Sequence, residues 1–123
     1  MAGRVYNGVK SDSRRDGGGI KMKVRNYYNK NQFLIEGNGQ RFYQSYRSIC
    51  AEIDKNGRLW FGADWDYSNT TRKHLYLFLN DFKNTIEAEQ YKNIFPKGFN
   101  GCPNKRKFLQ NLIDLKIIKI KEF

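Results

Sequence analysis

His74 is the only histidine in the chain, and it falls among residues with helical spacing. Nucleophilic catalysis needs a base held beside the nucleophile, and a lone helical histidine is more often packing than base. Asp64 and Asp66 stand two apart, on one face if the segment is a strand, where they can share a divalent cation. No third carboxylate has a spacing that joins them. The competing reading makes Asp66 a helix cap and leaves Asp64 solvated. Cys50 lies in an apolar run and reads as a small core residue, whereas Cys102 lies in a loop beside Asn100, Gly101 and Pro103. Two cysteines make neither a disulfide framework nor a four-ligand zinc site. No GxxxxGK[ST] or GxGxxG phosphate loop occurs. The expectation is a protein that is not an enzyme and has no metal or cofactor. The remaining enzymatic option is a metal-dependent nuclease using Asp64 and Asp66.

Binding residues are more plentiful. The 123 residues include 23 Lys+Arg against 12 Asp+Glu, a formal charge of +11. A surplus of this size most often meets a polyanion. From Lys97 onward seven basic residues (Lys97, Lys105, Arg106, Lys107, Lys116, Lys119, Lys121) face Asp114 and Glu122 alone. Lys105-Arg106-Lys107 opens a helix, where the helix dipole prefers negative charge, so a phosphate or carboxylate partner there is favoured by dipole and side chains together. Arg72 and Lys73 form a second pair in the first turn of another helix. Arg25, Arg41, Arg47 and Arg58 interleave with Tyr27, Tyr28, Tyr43, Tyr46 and Trp60. Aromatics alternating with arginines make a stacking platform for unpaired bases, and the same residue types anchor protein interfaces. The candidate contact set is Lys105, Arg106, Lys107, Lys116, Lys119, Lys121, Arg72, Lys73, Arg47, Arg58, Tyr46 and Trp60. GRLWFGADW lacks the spacing of the RRM signature, and no zinc finger or zipper is present.

These side chains need elements to hold them. From Lys21 to Tyr67 the spacing is that of strands, cut by Asn29-Lys30-Asn31, Gly37-Asn38-Gly39 and Asn56-Gly57. Asn-Gly favours a two-residue type I′ hairpin because both central residues then take positive φ. A four-stranded antiparallel meander over 21–67 is predicted, with Leu59, Phe61, Ala63 and Trp65 on one face of its last strand. Trp60 on the other face is then either covered or used for binding. From Ser68 the period lengthens. Leu75, Phe78, Leu79 and Phe82 recur at three and four residues, the mark of an amphipathic helix, with Asp66, Ser68 or Asn69 as its cap. A second helix is predicted from Asn84, where Asn84 and Glu87 resemble a capping box, ending before Pro96. A third has Pro103 at its first position and Phe108, Leu109, Leu112 and Ile113 as its stripe. LKIIKIKEF reads as a strand on the sheet edge or as more helix, with the strand preferred. The class is α+β, with two or three helices after the meander.

The length suits one domain, 21–123, large enough to bury roughly two thirds of its unfolded surface. The 39% hydrophobic and 15% aromatic content is too apolar for a disordered chain. Residues 1–20 are a separate case: Gly-rich, basic and with little to bury, they read as a flexible arm along a phosphate backbone, a tail without a role, or a leader remnant. No apolar run approaches a membrane span, and MAGRVYNGVK lacks the core of a signal peptide, so a cytoplasmic protein with free thiols and no membrane partner is expected. Nothing in the sequence sets the oligomeric state.

Tyr43-Gln44-Ser45-Tyr46, then Ile49, Ala51 and Ile53, then Trp65-Asp66-Tyr67-Ser68, Thr70-Thr71, Lys73, Phe78 and Leu79 form a distinctive run. It resembles a group of short proteins of unknown function encoded by bacteriophages and prophages of low-GC bacteria. They share F-Q-S-Y, an apolar strand, W-D-Y-S-x-T-T-x-K and F-L. Tyr43 stands here where Phe is usual, and the match spans about residues 41–80. The resemblance implies a phage or mobile-element accessory protein working in a bacterial cytoplasm. Two functions compete: binding to nucleic acid or a nucleic-acid-containing host complex, and anti-defence inhibition, in the manner of anti-CRISPR proteins, by binding a host protein complex. A DNA mimic must be acidic, so a basic inhibitor would grip nucleic acid or block a protein surface.

Overall fold

The computed structural model describes residues 22–123; the arm read at 1–20 lies outside the described residues. The chain folds as α+β. Strands β1 (Lys23–Asn26), β2 (Gln32–Gly37), β3 (Gln40–Ser45), β4 (Ser48–Ile53) and β5 (Leu59–Gly62) form an antiparallel meander. Helices α1 (Asn69–Asp81), α2 (Ala88–Ile94) and α3 (Lys105–Asp114) follow. The chain then returns as β6 (Lys119–Lys121), parallel to β5, completing a six-stranded sheet in chain order. The C-terminal edge strand predicted from LKIIKIKEF is therefore present.

The meander has five strands rather than the four predicted, because Tyr46-Arg47 turns the long 40–53 segment back on itself. Neither residue is a usual turn former, and Tyr46 takes φ 54°, a left-handed conformation costing roughly 1–2 kcal/mol for an L-residue. Its amide donates to the Asn31 carbonyl at 2.8 Å, tying the hairpin to the β1–β2 loop. The type I′ signature is realised at Asn38-Gly39, where both φ values are positive (53° and 77°). At Asn56-Gly57 only Gly57 is positive, at 83°. That site belongs to a longer loop organised by Asp54. Its carboxylate accepts from the Asn56 and Arg58 amides at 2.9 Å each and from the Trp60 indole at 3.1 Å. Burial opposes ionisation of Asp54, but these donors, with Lys121, hold its carboxyl below the ordinary range.

One sheet face carries Leu34, Tyr43, Ala51 and Phe61, in cross-strand register and fully buried. The helices pack on this face: Phe78 of α1 meets the Tyr43 ring at 6.1 Å, and Gln90 of α2 bonds both backbone groups of Leu59. The other face carries Ile35, Phe42, Glu52, Trp60 and Lys119. β5 ends at Gly62, so the predicted continuation of its faces to Ala63 and Trp65 is corrected; residues 63–66 form a turn in which only Trp65 is buried.

Helix α1 starts where predicted, and Ser68 is its cap, accepting from the Thr71 amide at 3.1 Å. α2 starts later than predicted. Lys83–Thr85 forms a 3-10 turn, Ile86 inserts into the core, and the chain turns helical at Ala88. The Glu87 carboxylate forms no capping box, since it pairs with Arg58 at 3.3 Å, while its amide donates to the Gly57 carbonyl. α3 is capped by Asn104, accepting from the Lys107 amide at 3.0 Å, so Pro103 precedes the cap rather than opening the helix.

Candidate nucleic-acid interface

The turn at 63–68 joins β5 to α1; its Asp64 and Tyr67 line one cleft, and a second runs along α1. The first, about 570 Å³, lies beneath the β3–β4 hairpin and is lined by Ser45, Tyr46, Arg47, Ser48, Cys50, Asp64, Tyr67 and Thr71. Its floor is tied by the buried Ser45 and Thr71 hydroxyls at 2.9 Å, and at its exposed edge Ser48 donates to Asp64 at 2.8 Å. Its rim is aromatic: Tyr46 is 49% and Tyr67 73% exposed. The second cleft, about 320 Å³, is lined by Asn69, Arg72, Lys73, Tyr76, Leu77 and Asn80. Thr71 faces the first cleft while Asn69, Arg72 and Lys73 face the second, so the clefts flank the first turn of α1, which carries no acidic residue.

The second cleft is cationic by construction. Arg72 donates to the Asp66 carbonyl at 2.9 Å and to the Asn69 side chain. Arg106 of α3 reaches the Asp66 carboxylate at 3.0 Å. Burial raises the Tyr76 hydroxyl, and the nearby positive charges of Arg72 and Arg106 oppose that rise. Asp64 and Asp66 do not share a strand face, since both lie past the end of β5, and each has its own partner. Among the described residues no three His, Cys, Asp or Glu side chains gather as a metal site, and no helix is long and apolar enough to cross a membrane.

The candidate contact residues divide. Tyr46 and Arg47 meet in the first cleft, Arg72 and Lys73 in the second, with Arg106 beside them and Lys107 exposed on α3. Lys105 bends back instead, donating to the Asn100 and Cys102 carbonyls and lying 5.6 Å over the Phe99 ring. Arg58 is engaged by Glu87. Trp60 is half-buried beneath the Lys121 ammonium, and Lys121 bonds the buried Glu52 at 2.7 Å. Lys116 and Lys119 are exposed near β6, away from both clefts' linings. Tyr67 was absent from the sequence-derived set. A signal for it existed: a tyrosine directly before a Ser cap can join neither strand nor helix interior.

His74 is buried, its Nδ1–H donating to the Thr70 carbonyl at 2.8 Å, and its ring lies 6.5 Å from that of Tyr28. Tyr27 and Tyr28 both donate to the Asp81 carboxylate, at 2.6 and 2.9 Å, fixing the β1–β2 loop to the end of α1. Burial pushes the Cys50 thiol up to about 12, helped by Asp64. Cys50 therefore stays protonated across the physiological range, and its sulfur is closed off. Cys102 is partly exposed. At pH 8 a thiol–disulfide exchange reagent should titrate one thiol in the folded protein and both after unfolding in guanidinium. Two fast thiols in the folded protein would contradict the burial of Cys50.

No curated protein and no solved structure matches the chain. Residues 20–96 match a protein family. That segment holds the whole meander, α1, α2 and every residue lining both clefts, and it stops short of α3 and β6. The matched segment exceeds half of the sequence: the chain belongs to a family of unknown function, DUF8033.

Proposed function

We propose that this chain is a small, non-enzymatic accessory protein of a phage or other mobile element that binds nucleic acid, or a nucleic-acid-containing host complex, in the cytoplasm. The observation that carries the reading is the pair of clefts flanking the first turn of α1, which joins exposed tyrosines to Arg47, Arg72 and Lys73 on a chain of charge +11. Tyrosine faces take bases and the cations take phosphates, the division of labour in proteins that bind single strands. Lys107 extends the same positive surface onto α3, where the neighbouring Arg106 is paired with Asp66.

The test is binding to single- and double-stranded DNA and RNA across a salt series. If Arg47, Arg72, Lys73 and Lys107 each neutralise a phosphate, counterion release gives a slope of about −0.7 per contact on a single strand. A fourfold rise in salt then weakens binding about 50-fold. Absence of micromolar binding to every nucleic acid overturns the reading.

A second reading draws on a different surface. On the sheet face away from the helices, Ile35, Phe42 and Trp60 are half-buried, and Phe123, in contact with Phe42, is 50% exposed. Such a surface suits an inhibitor docking on a host defence protein. A pull-down from host cells separates the two: one stoichiometric protein retained after nuclease treatment favours the inhibitor, and enrichment that nuclease abolishes favours nucleic acid.

A further inference from the structure

We infer that the cleft beneath the β3–β4 hairpin takes an unpaired base of a single-stranded polynucleotide, with Tyr46 and Tyr67 as its stacking surfaces. This rests on the nucleic-acid reading and specifies the ligand of that site. Three observations carry it.

The first is the cost of Tyr46. The tip of a two-residue hairpin with φ 54° is a position for Gly or Asn, yet a bulky aromatic occupies it, half exposed. Strain kept where a cheaper residue would serve points to function. The second is the cleft. Its volume, about 570 Å³, falls in the ~300–1,000 Å³ range of small-molecule pockets, and its rim is two exposed tyrosines. The third is the arrangement of charge. Asp64 stands in the cleft, its carboxylate accepting from Ser48. A carboxylate there repels phosphate and accepts from the N–H groups on a base edge. The cations Arg72 and Lys73 lie across the first turn of α1, and Arg47 at the hairpin. The base therefore enters the cleft while the backbone stays outside on the positive side. A duplex keeps its bases paired and stacked, so it offers no base to this cleft.

The experiment measures anisotropy of labelled oligonucleotides of mixed sequence, as single-stranded DNA, single-stranded RNA and the matching duplexes. The proteins are the wild type, Tyr46→Asn and Tyr67→Leu. Wild type should bind a single strand at least about tenfold tighter than duplex. Each variant should weaken single-strand binding about 5- to 150-fold, the equivalent of about 1–3 kcal/mol per stacked base, and leave duplex binding unchanged. Asn tolerates positive φ, so Tyr46→Asn should melt at or above the wild-type temperature. A loss of binding in that variant then cannot be loss of fold. Duplex bound as tightly as single strand, or Tyr46→Asn and Tyr67→Leu binding like wild type, overturns the inference and leaves the broader reading standing. Failure of wild type to bind any oligonucleotide overturns both. The DNA and RNA arms tell which polymer it is.

Discussion

Gly62→Ala should cost the fold more than any other single methyl addition at a described glycine. A Cβ on Gly62 would sit 2.0 Å from the Ile49 carbonyl oxygen and 3.3 Å from the Phe123 ring. The phenyl ring can swing away. The carbonyl cannot, because it belongs to β4, which is paired on both sides. Gly62 itself is held by β6 through its register with Lys121 and by the Trp65 amide, which donates to its carbonyl at 3.1 Å. Relief therefore requires β5 to part from β4 at its end, next to the turn that carries Asp64 and Tyr67. Ordinary overpacking costs about 1–3 kcal/mol, and a backbone clash this deep belongs at or beyond the upper end. With about 4–8 °C lost per kcal/mol for a domain of this size, the melting temperature should fall by roughly 12 °C or more. Gly98→Ala is the control. No atom of the described residues lies within 4 Å of its Cβ, so only the strain of φ 108° acts, and the loss should be far smaller. A Gly62→Ala melt within a few degrees of wild type would mean that the Ile49 carbonyl does not press against Gly62.

What the sequence made legible follows from which forces are local. Alternation and turn chemistry placed most of the meander, the change of period at Ser68 placed α1, and the β-branched tail placed β6. The Tyr46-Arg47 turn was illegible because no local preference makes it; the tie from Tyr46 to Asn31 does, and that tie exists only in the folded sheet. α2 started late for a similar reason: Glu87 had a stronger use as the partner of Arg58, and Ile86 had a place in the core. The site shows the same division. Clusters of charge are visible along a chain, but their neutralisation is not. Arg106 meets Asp66 40 residues away, and Lys121 meets Glu52 69 residues away. Charge alone thus groups cations with no ion-pair partner among the described residues, such as Lys73 and Lys107, with cations committed to the fold.

Lys121→Met should destabilise the protein by about 2–3 kcal/mol, and most of that loss should vanish when Glu52→Gln is added. Glu52 is 1% exposed, and its two carboxylate oxygens receive Lys121 at 2.7 Å and Gln40 at 3.1 Å. Removing the ammonium strands a buried carboxylate with one neutral donor. Breaking a fully buried pair in this way costs about 3–5 kcal/mol; here the lysine end is 41% exposed, so water recovers part of it. Lys121 also lies 5.0 Å over the Trp60 ring and 5.6 Å over Phe123, contacts that Met replaces with apolar packing. In the double variant a neutral amide faces an apolar chain, and Gln40 remains to bond it. Single and double variants measured by urea unfolding form a cycle whose coupling should exceed about 1 kcal/mol. Additive losses would show that Glu52 does not depend on Lys121. The cycle also decides how a charge scan of this surface is read. Lys119→Ala, on the same strand with no ion-pair partner among the described residues, should leave the melt unchanged, so a fall in nucleic-acid binding there reports a contact. The same fall in Lys121→Met has two sources, the lost ammonium and a loosened sheet edge; adding Glu52→Gln, which repairs the edge and returns the net charge to +11 without restoring the ammonium, separates them.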